Sequence, residues 1–180
     1  GMTRMRMVGI FGTTAVVIGF LLAVYKIARH REFVWLFRAD LWALVATVMV
    51  YALTPVDLIV MRYNVNRIMA GDSAPSVQIS VHPIDAEGVR ELIPLLNCPD
   101  EFVRDGIQSL FAMRWEDMSS TPRHGGLAVG SWSEFTALQI SERWLKQDLA
   151  ATRDQWDSHL DATRQQNDWN RFRLHAYQWY

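Results

Sequence analysis

The chain has 180 residues, with 18 Lys/Arg against 19 Asp/Glu and a formal net charge of -1. One cysteine, Cys98, excludes an internal disulfide framework and a cysteine-built metal site. The basic residues flank apolar runs and do not line one polar face, which excludes a nucleic-acid footprint. The average charge conceals a division. Residues 1–70 carry eight Lys/Arg and three Asp/Glu, a balance of +5, so the remainder carries -6. A basic, apolar start joined to an acidic remainder is the pattern of a membrane part attached to a solvated part.

Residues 7–25 contain no charge. At about 1.5 Å per residue, a helix of that length approaches the roughly 30 Å hydrocarbon thickness of a bilayer. Gly9, Gly12, Gly19, Thr13 and Thr14 lie inside it, residues that weaken a helix in water but are common in spans. Arg4 and Arg6 precede the run, and Lys26, Arg29 and Arg31 follow it. The run is long for a signal peptide, and Tyr25-Lys26-Ile27 is no small-residue cleavage site. A second span is expected over about 36–61, with Trp35, Trp42 and Tyr63 as interfacial aromatics. A buried helical hairpin in a soluble protein is the competing reading; two long apolar runs joined by a basic loop argue against it. The loop carries more basic residues than either outer flank, which places it in the cytoplasm and the C-terminal part outside.

Residues 57–67, Asp-Leu-Ile-Val-Met-Arg-Tyr-Asn-Val-Asn-Arg, form a polar hinge where the two compositions meet. A linker is expected at 71–84, in which Gly71-Asp72-Ser73-Ala74-Pro75 reads as a turn and 77–81 as one short extended piece. From Asp85 the period is helical. Val89, Leu92, Ile93 and Leu96 share a face that Pro94 should kink, and Pro99-Asp100-Glu101 opens the next helix. Its apolar face is Val103, Ile107, Leu110 and Phe111. Residues 119–130 read as a loop. One long helix is expected over 131–163, with Leu138, Leu145, Leu149, Trp156 and Leu160 in a stripe. A last helix from about Asp168 places Trp169, Phe172, Ala176 and Trp179 on one side.

The hinge and its neighbours resemble a family of bacterial multi-pass membrane proteins known only as a domain of unknown function, of the 4173/4153 type. The matching pieces are residues 1–6 before the first span, Asp57 with Arg62-Tyr63-Asn64 after the last, Asp85-Ala86, and Asp168-Trp169-Asn170. Where such proteins often carry an Asp and a Tyr-Leu pair, this chain reads Val77-Gln78-Ile79-Ser80-Val81-His82. The resemblance implies further spans before Gly1, and that this chain is the C-terminal end of a longer protein. It implies no activity.

Four residues are the candidate functional polar hinge: Asp57, Arg62, Asn64 and Arg67. An acid at the edge of a span is costly and faces a partner, water or a functional path. On a continued helix Asp57, Asn64 and Arg67 share a face, with Arg62 displaced. The competing reading makes Asp57 an interfacial cap after a break at Pro55, and it is the favoured one. His30, His82, His124, His159 and His175 have no metal-ligand spacing. Arg123-His124-Gly125-Gly126 lacks the Gly-x-Ser-x-Gly partner of an oxyanion-hole loop, and no phosphate-binding glycine loop occurs.

The expected protein is all-α: an integral membrane helical hairpin (residues 1–70) followed by a small soluble helical domain (residues 85–180). No catalytic, cofactor-binding or metal residue is assigned. The first expectation is a non-enzymatic scaffold or envelope-associated interaction protein in the bacterial inner membrane, with the C-terminal domain extracytoplasmic. Its partners would be the lipid bilayer and either other spans of the parent protein or a protein partner, with no nucleic acid. The alternative is a transport or sensing component that uses Asp57 as an intramembrane polar group.

Overall fold

The computed structural model describes residues 1–119 and 138–179, apart from the side chains of residues 138 and 139. Every regular element among the described residues is helical. Two long apolar helices come first, and a region of shorter helices follows. The chain forms two compact units, Thr3–Val56 and Gly1–Met2 with Asp57–Tyr180.

The first unit is a hairpin of α1 (Arg4–Ala28) and α2 (Phe33–Leu53). Thr3 caps α1 by accepting the Arg6 N–H at 3.2 Å. His30, at φ 50, turns the chain through the left-handed region between the helices. Phe11 meets Tyr51 edge-on, with ring centroids 5.3 Å apart, and Tyr25 meets Trp35 at 5.6 Å, so the helices run antiparallel. Met7 is the only buried residue of α1, and α2 has none. Their apolar side chains point outward: Val16 is 72% exposed, Phe20 68% and Trp42 73%. The threonine hydroxyls turn back on their own helices, as Thr14 does to the Ile10 carbonyl and Thr47 to the Ala43 carbonyl, each at 2.8 Å. Both helices are long and apolar enough to cross a membrane.

The second unit inverts this sorting. Its elements are α3 (Val56–Met69), α4 (Ser76–Val81), α5 (Ala86–Arg90), a 3-10 turn (Ile93–Asn97), α6 (Glu101–Ser119), α7 (Leu138–Ala151), α8 (Arg153–Trp156), a second 3-10 turn (Asp157–His159) and α9 (Ala162–Tyr177). The core is Val89, Leu92, Leu95, Val103, Ile107, Phe111, Leu149, Trp156 and Phe172, all fully buried. α6 runs through it against α9. Gly106 makes that crossing possible, because a Cβ there would lie 2.3 Å from Phe172 Cγ. Asp100 caps α6 by accepting the Phe102 N–H at 3.0 Å.

Several boundaries differ from expectation. The second apolar helix does not run to residue 61: it ends at Leu53, and Thr54 and Pro55 separate it from α3. Proline lacks the N–H that a continuous helix needs and pushes the residue before it out of the helical region. The extended piece at 77–81 is α4, since a lone strand would leave buried backbone groups without partners and a helical turn satisfies them locally. Within it Val77, Ile79 and Ser80 are buried. Pro94 ends the Asp85 helix early and starts the 3-10 turn. The single long helix is broken at Thr152, whose hydroxyl bonds the Asp148 carbonyl at 3.0 Å. Asp161 then caps α9, six residues earlier than expected, through the Thr163 N–H at 2.9 Å. Leu149 before the break, Trp156 after it and Phe172 of α9 are all fully buried. Trp179 is exposed, outside the α9 stripe. The loop at 119–130 beyond Ser119, with Arg123-His124-Gly125-Gly126, the start of the long helix and the side chain of Leu138 lie outside the described residues.

Candidate functional site: the buried polar hinge

α3 sorts its side chains into two faces. Asp57, Val60, Met61, Asn64, Val65 and Ile68 are buried. Arg62 and Tyr63 are exposed. The helix is closed by Gly71 at φ 94, with the Gly71 N–H on the Ile68 carbonyl at 2.9 Å and the Asp72 N–H on the Arg67 carbonyl at 3.0 Å. This is a Schellman ending, which needs the left-handed conformation glycine adopts without strain.

Each candidate hinge residue has a defined place. Asn64 is fully buried. Its Oδ1 accepts the Met2 N–H at 2.7 Å, and its Nδ2 donates to the Met2 carbonyl at 2.9 Å. This two-point clamp satisfies a buried amide and ties the residues before α1 to the helix after α2. Asp57 is 5% exposed, and its Oδ2 accepts the Asp85 N–H at 2.9 Å. Asp85 stands at the N-cap of α5, so the Asp57 carboxylate lies at the positive end of that helix. Gly88 of α5 fits closely there, since a Cβ on it would lie 3.2 Å from Asp57 Cβ and 2.6 Å from Ile84 Cγ2. Arg67 pairs with Asp72, whose Oδ1 accepts the Ala74 N–H at 3.1 Å. Asp57 and Asn64 thus share the buried face. Arg67 reaches sideways to the following turn, and Arg62 faces out.

The arrangement is one of ties. α5 is held in turn to α7 by Arg90 and Asp148 at 2.6 Å and by the Ser141 hydroxyl donating to Glu87 at 2.9 Å. Arg114 Nη2 donates to the Ile84 carbonyl at 2.7 Å, beside a cavity of about 300 Å³ lined by Ser80, His82, Leu110, Met113 and Trp169. Among the described residues no group of three or more His, Cys, Asp or Glu side chains is placed to hold a metal ion.

Three polar positions have settings that sequence reasoning did not assign. Asp40, in α2, has an Oδ1 that is buried without a hydrogen-bond partner, and a Cβ on Gly19 would lie 3.7 Å from it. Its signal was a carboxylate within a helix that needs its full 21 residues to span. His159 is 1% exposed, with Nε2 3.2 Å from Asp168 Oδ2 but outside hydrogen-bond geometry. Burial is the main force holding its imidazole below the ordinary range; Arg164 adds to it, and Asp168 and Asp105 oppose it. His175 stacks on Phe102 at 4.9 Å, with Nε2 3.4 Å from Asp100 Oδ2. Neither pair was legible, because His159 and Asp168, like Asp100 and His175, meet only through the turn and crossing of α9. Cys98 is buried, and burial pushes its thiol up, which makes it a poor nucleophile.

The fold defines an all-α protein: an apolar helical hairpin followed by a region of shorter helices that holds the buried polar hinge. The chain belongs to the family described as a domain of unknown function (DUF4153), whose model matches residues 1–93. That stretch holds the hairpin, α3, α4 and α5, and with them both the Asn64–Met2 and the Asp57–Asp85 contacts. No curated protein and no solved structure matches the chain.

Proposed function

We propose that the chain is a non-enzymatic membrane scaffold, in which the hairpin anchors the helical region and offers its apolar sides to lipid and to other spans of a multi-pass protein. The observation that carries this reading is the outward apolar surface of α1 and α2, with one buried residue between them. In water that surface would be a large aggregation liability; in lipid it has its solvent. The hinge supports the same reading, because Asp57 and Asn64 are engaged with backbone groups in the manner of structural ties. The basic turn after α1, with Lys26, Arg29 and Arg31, favours its placement in the cytoplasm of a bacterial cell and the helical region on the far side of the inner membrane. Alkaline carbonate extraction is the test. The protein should stay in the membrane pellet, and its release as a soluble species would end the proposal. A reporter fused after Tyr180 reads the orientation: a signal from the cytoplasm reverses it.

A transport or sensing role is the second reading, and Asp40 favours it. A carboxylate oxygen buried without a partner in an apolar helix marks a functional position more readily than the hydrogen-bonded Asp57. Ion flux into proteoliposomes separates the two readings. A flux above that of empty vesicles, lost in Asp40→Asn, would replace the scaffold by a transporter. A flux lost in Asp57→Asn at unchanged stability would restore the hinge acid to that role.

A further inference from the structure

We infer that α3 lies in the lipid–water interface and that its outer face is a phospholipid-binding surface, with Arg62 on headgroup phosphate and Tyr63 at headgroup depth. This rests on the reading of α1 and α2 as spans and deepens it.

The first argument is the two-faced pattern. Ile59, Arg62, Tyr63, Asn66 and Met69 follow one another at steps of three, one, three and three. At 100° per residue they fall within about a third of the helix circumference. Ile59 is 38% exposed, Tyr63 50% and Met69 42%, while the opposite face is buried. An isolated exposed apolar residue is ordinary. Three on one strip, with a cation and an amide among them, form the outer face of an interfacial helix. Arg67 has Asp72, whereas Arg62 has no ion pair among the described residues. Its guanidinium is suited to bidentate recognition of a phosphate.

The second argument is the length of chain. Only Thr54 and Pro55 separate the end of α2 from the start of α3. Three Cα–Cα steps reach at most about 11 Å. Met2, held by Asn64, is two steps from the start of α1, at most about 8 Å. The start of α3, and Met2 held by its middle, therefore each lie within a few residues along the chain of an end of a span, within reach of the headgroup layer. The buried face of α3 belongs to the core, which leaves the outer face for lipid.

The test uses the full chain in vesicles of phosphatidylcholine and phosphatidylglycerol. Tyr63→Cys, Phe20→Cys and Asp154→Cys are each labelled with an environment-sensitive fluorophore; Cys98 is buried, with its thiol pushed up, and takes little label. Lipids brominated high or low on the acyl chain then act as quenchers. The expected result is loss of fluorescence at 63 with the high bromines, at 20 with the low ones and at 154 with neither. Arg62→Glu should move the response at 63 toward that at 154, and Arg62→Lys should largely retain it. If 63 behaves like 154 while 20 is still quenched, α3 is not interfacial and the inference falls, although the spans stand. If 20 is also unquenched, the membrane reading falls and takes the inference with it. If labels at 63 on different molecules quench one another and bromines have no effect, the face joins two copies of the chain and the lipid assignment is wrong.

Discussion

The hairpin and the helical region use the same kinds of residue and sort them in opposite directions. In α1 and α2 the apolar side chains face outward and the hydroxyls bond their own backbone. In the helical region Trp156, Phe111 and Phe172 are fully buried, and charges such as Arg153 and Asp157 pair on the surface at 2.9 Å. Composition divides the chain into these regions; what each exposes shows that the sorting is reversed. The hinge belongs to the second sorting, with Asn64 and Asp57 buried and bonded to backbone groups.

The largest expected effect is on the helical region. Trp156→Ala removes the largest fully buried side chain among the described residues and should cost about 3–5 kcal/mol. Thermal unfolding of the detergent-solubilised protein would show it, while the helicity of the hairpin persists. An unchanged midpoint would mean that Trp156 is not core. The matching change in the hairpin is Val16→Asp, near the middle of α1, which should cost about 2.5–3.5 kcal/mol of insertion. The control is Leu174→Asp in α9, 70% exposed, where a surface change stays within about 0.5 kcal/mol. Equal responses in an insertion assay would erase the distinction between the two regions.

Gly106→Ala comes next. Its Cβ would collide with Phe172, so α6 and α9 must part, at about 1–3 kcal/mol. The same change at Gly12, where a Cβ meets nothing within 4 Å, should be close to neutral. Asn64→Leu strips both bonds from the Met2 backbone, at about 1–3 kcal/mol. Faster amide exchange at Met2 would report it, and Asn64→Asp, which sets a buried carboxylate oxygen against the Met2 carbonyl, should cost at least as much.

The smallest effect is a dependence on pH. Folding holds the His159 imidazole below its ordinary value of 6.5, so the unfolded chain binds the proton more readily. The stability linked to this residue is whole above that pH and declines as the pH falls through it toward the lower folded value. His159→Gln should flatten that part of a melting-temperature profile. A profile with the same slope would assign the dependence to other groups.

Much of the hairpin was legible along the chain. An uncharged run of 19 residues flanked by basic groups is a one-dimensional signal, because the solvent it needs is set by its own composition. The existence of a polar hinge after the second run was legible too, from Asp57 and Asn64 at helical spacing. Pro55 marks the break that makes α2 and α3 separate helices. The partners of the hinge were not legible. Asn64 bonds Met2, 62 residues away, and Asp57 bonds Asp85, 28 residues away. No local pattern encodes such a pairing, since a buried amide or carboxylate takes whichever backbone group the fold brings to it.

By itself, then, the sequence determined the class of the protein, the two apolar helices and the polar character of the stretch between its two regions. Period, charge and proline placement act locally, and they survive without knowledge of the fold. Tertiary structure alone decided that Asp57 and Asn64 are ties, that Arg62 faces out, and that the long C-terminal stripe breaks at Thr152 to wrap α6. Those outcomes depend on which surfaces are buried against which, a property of packing that only the folded chain possesses.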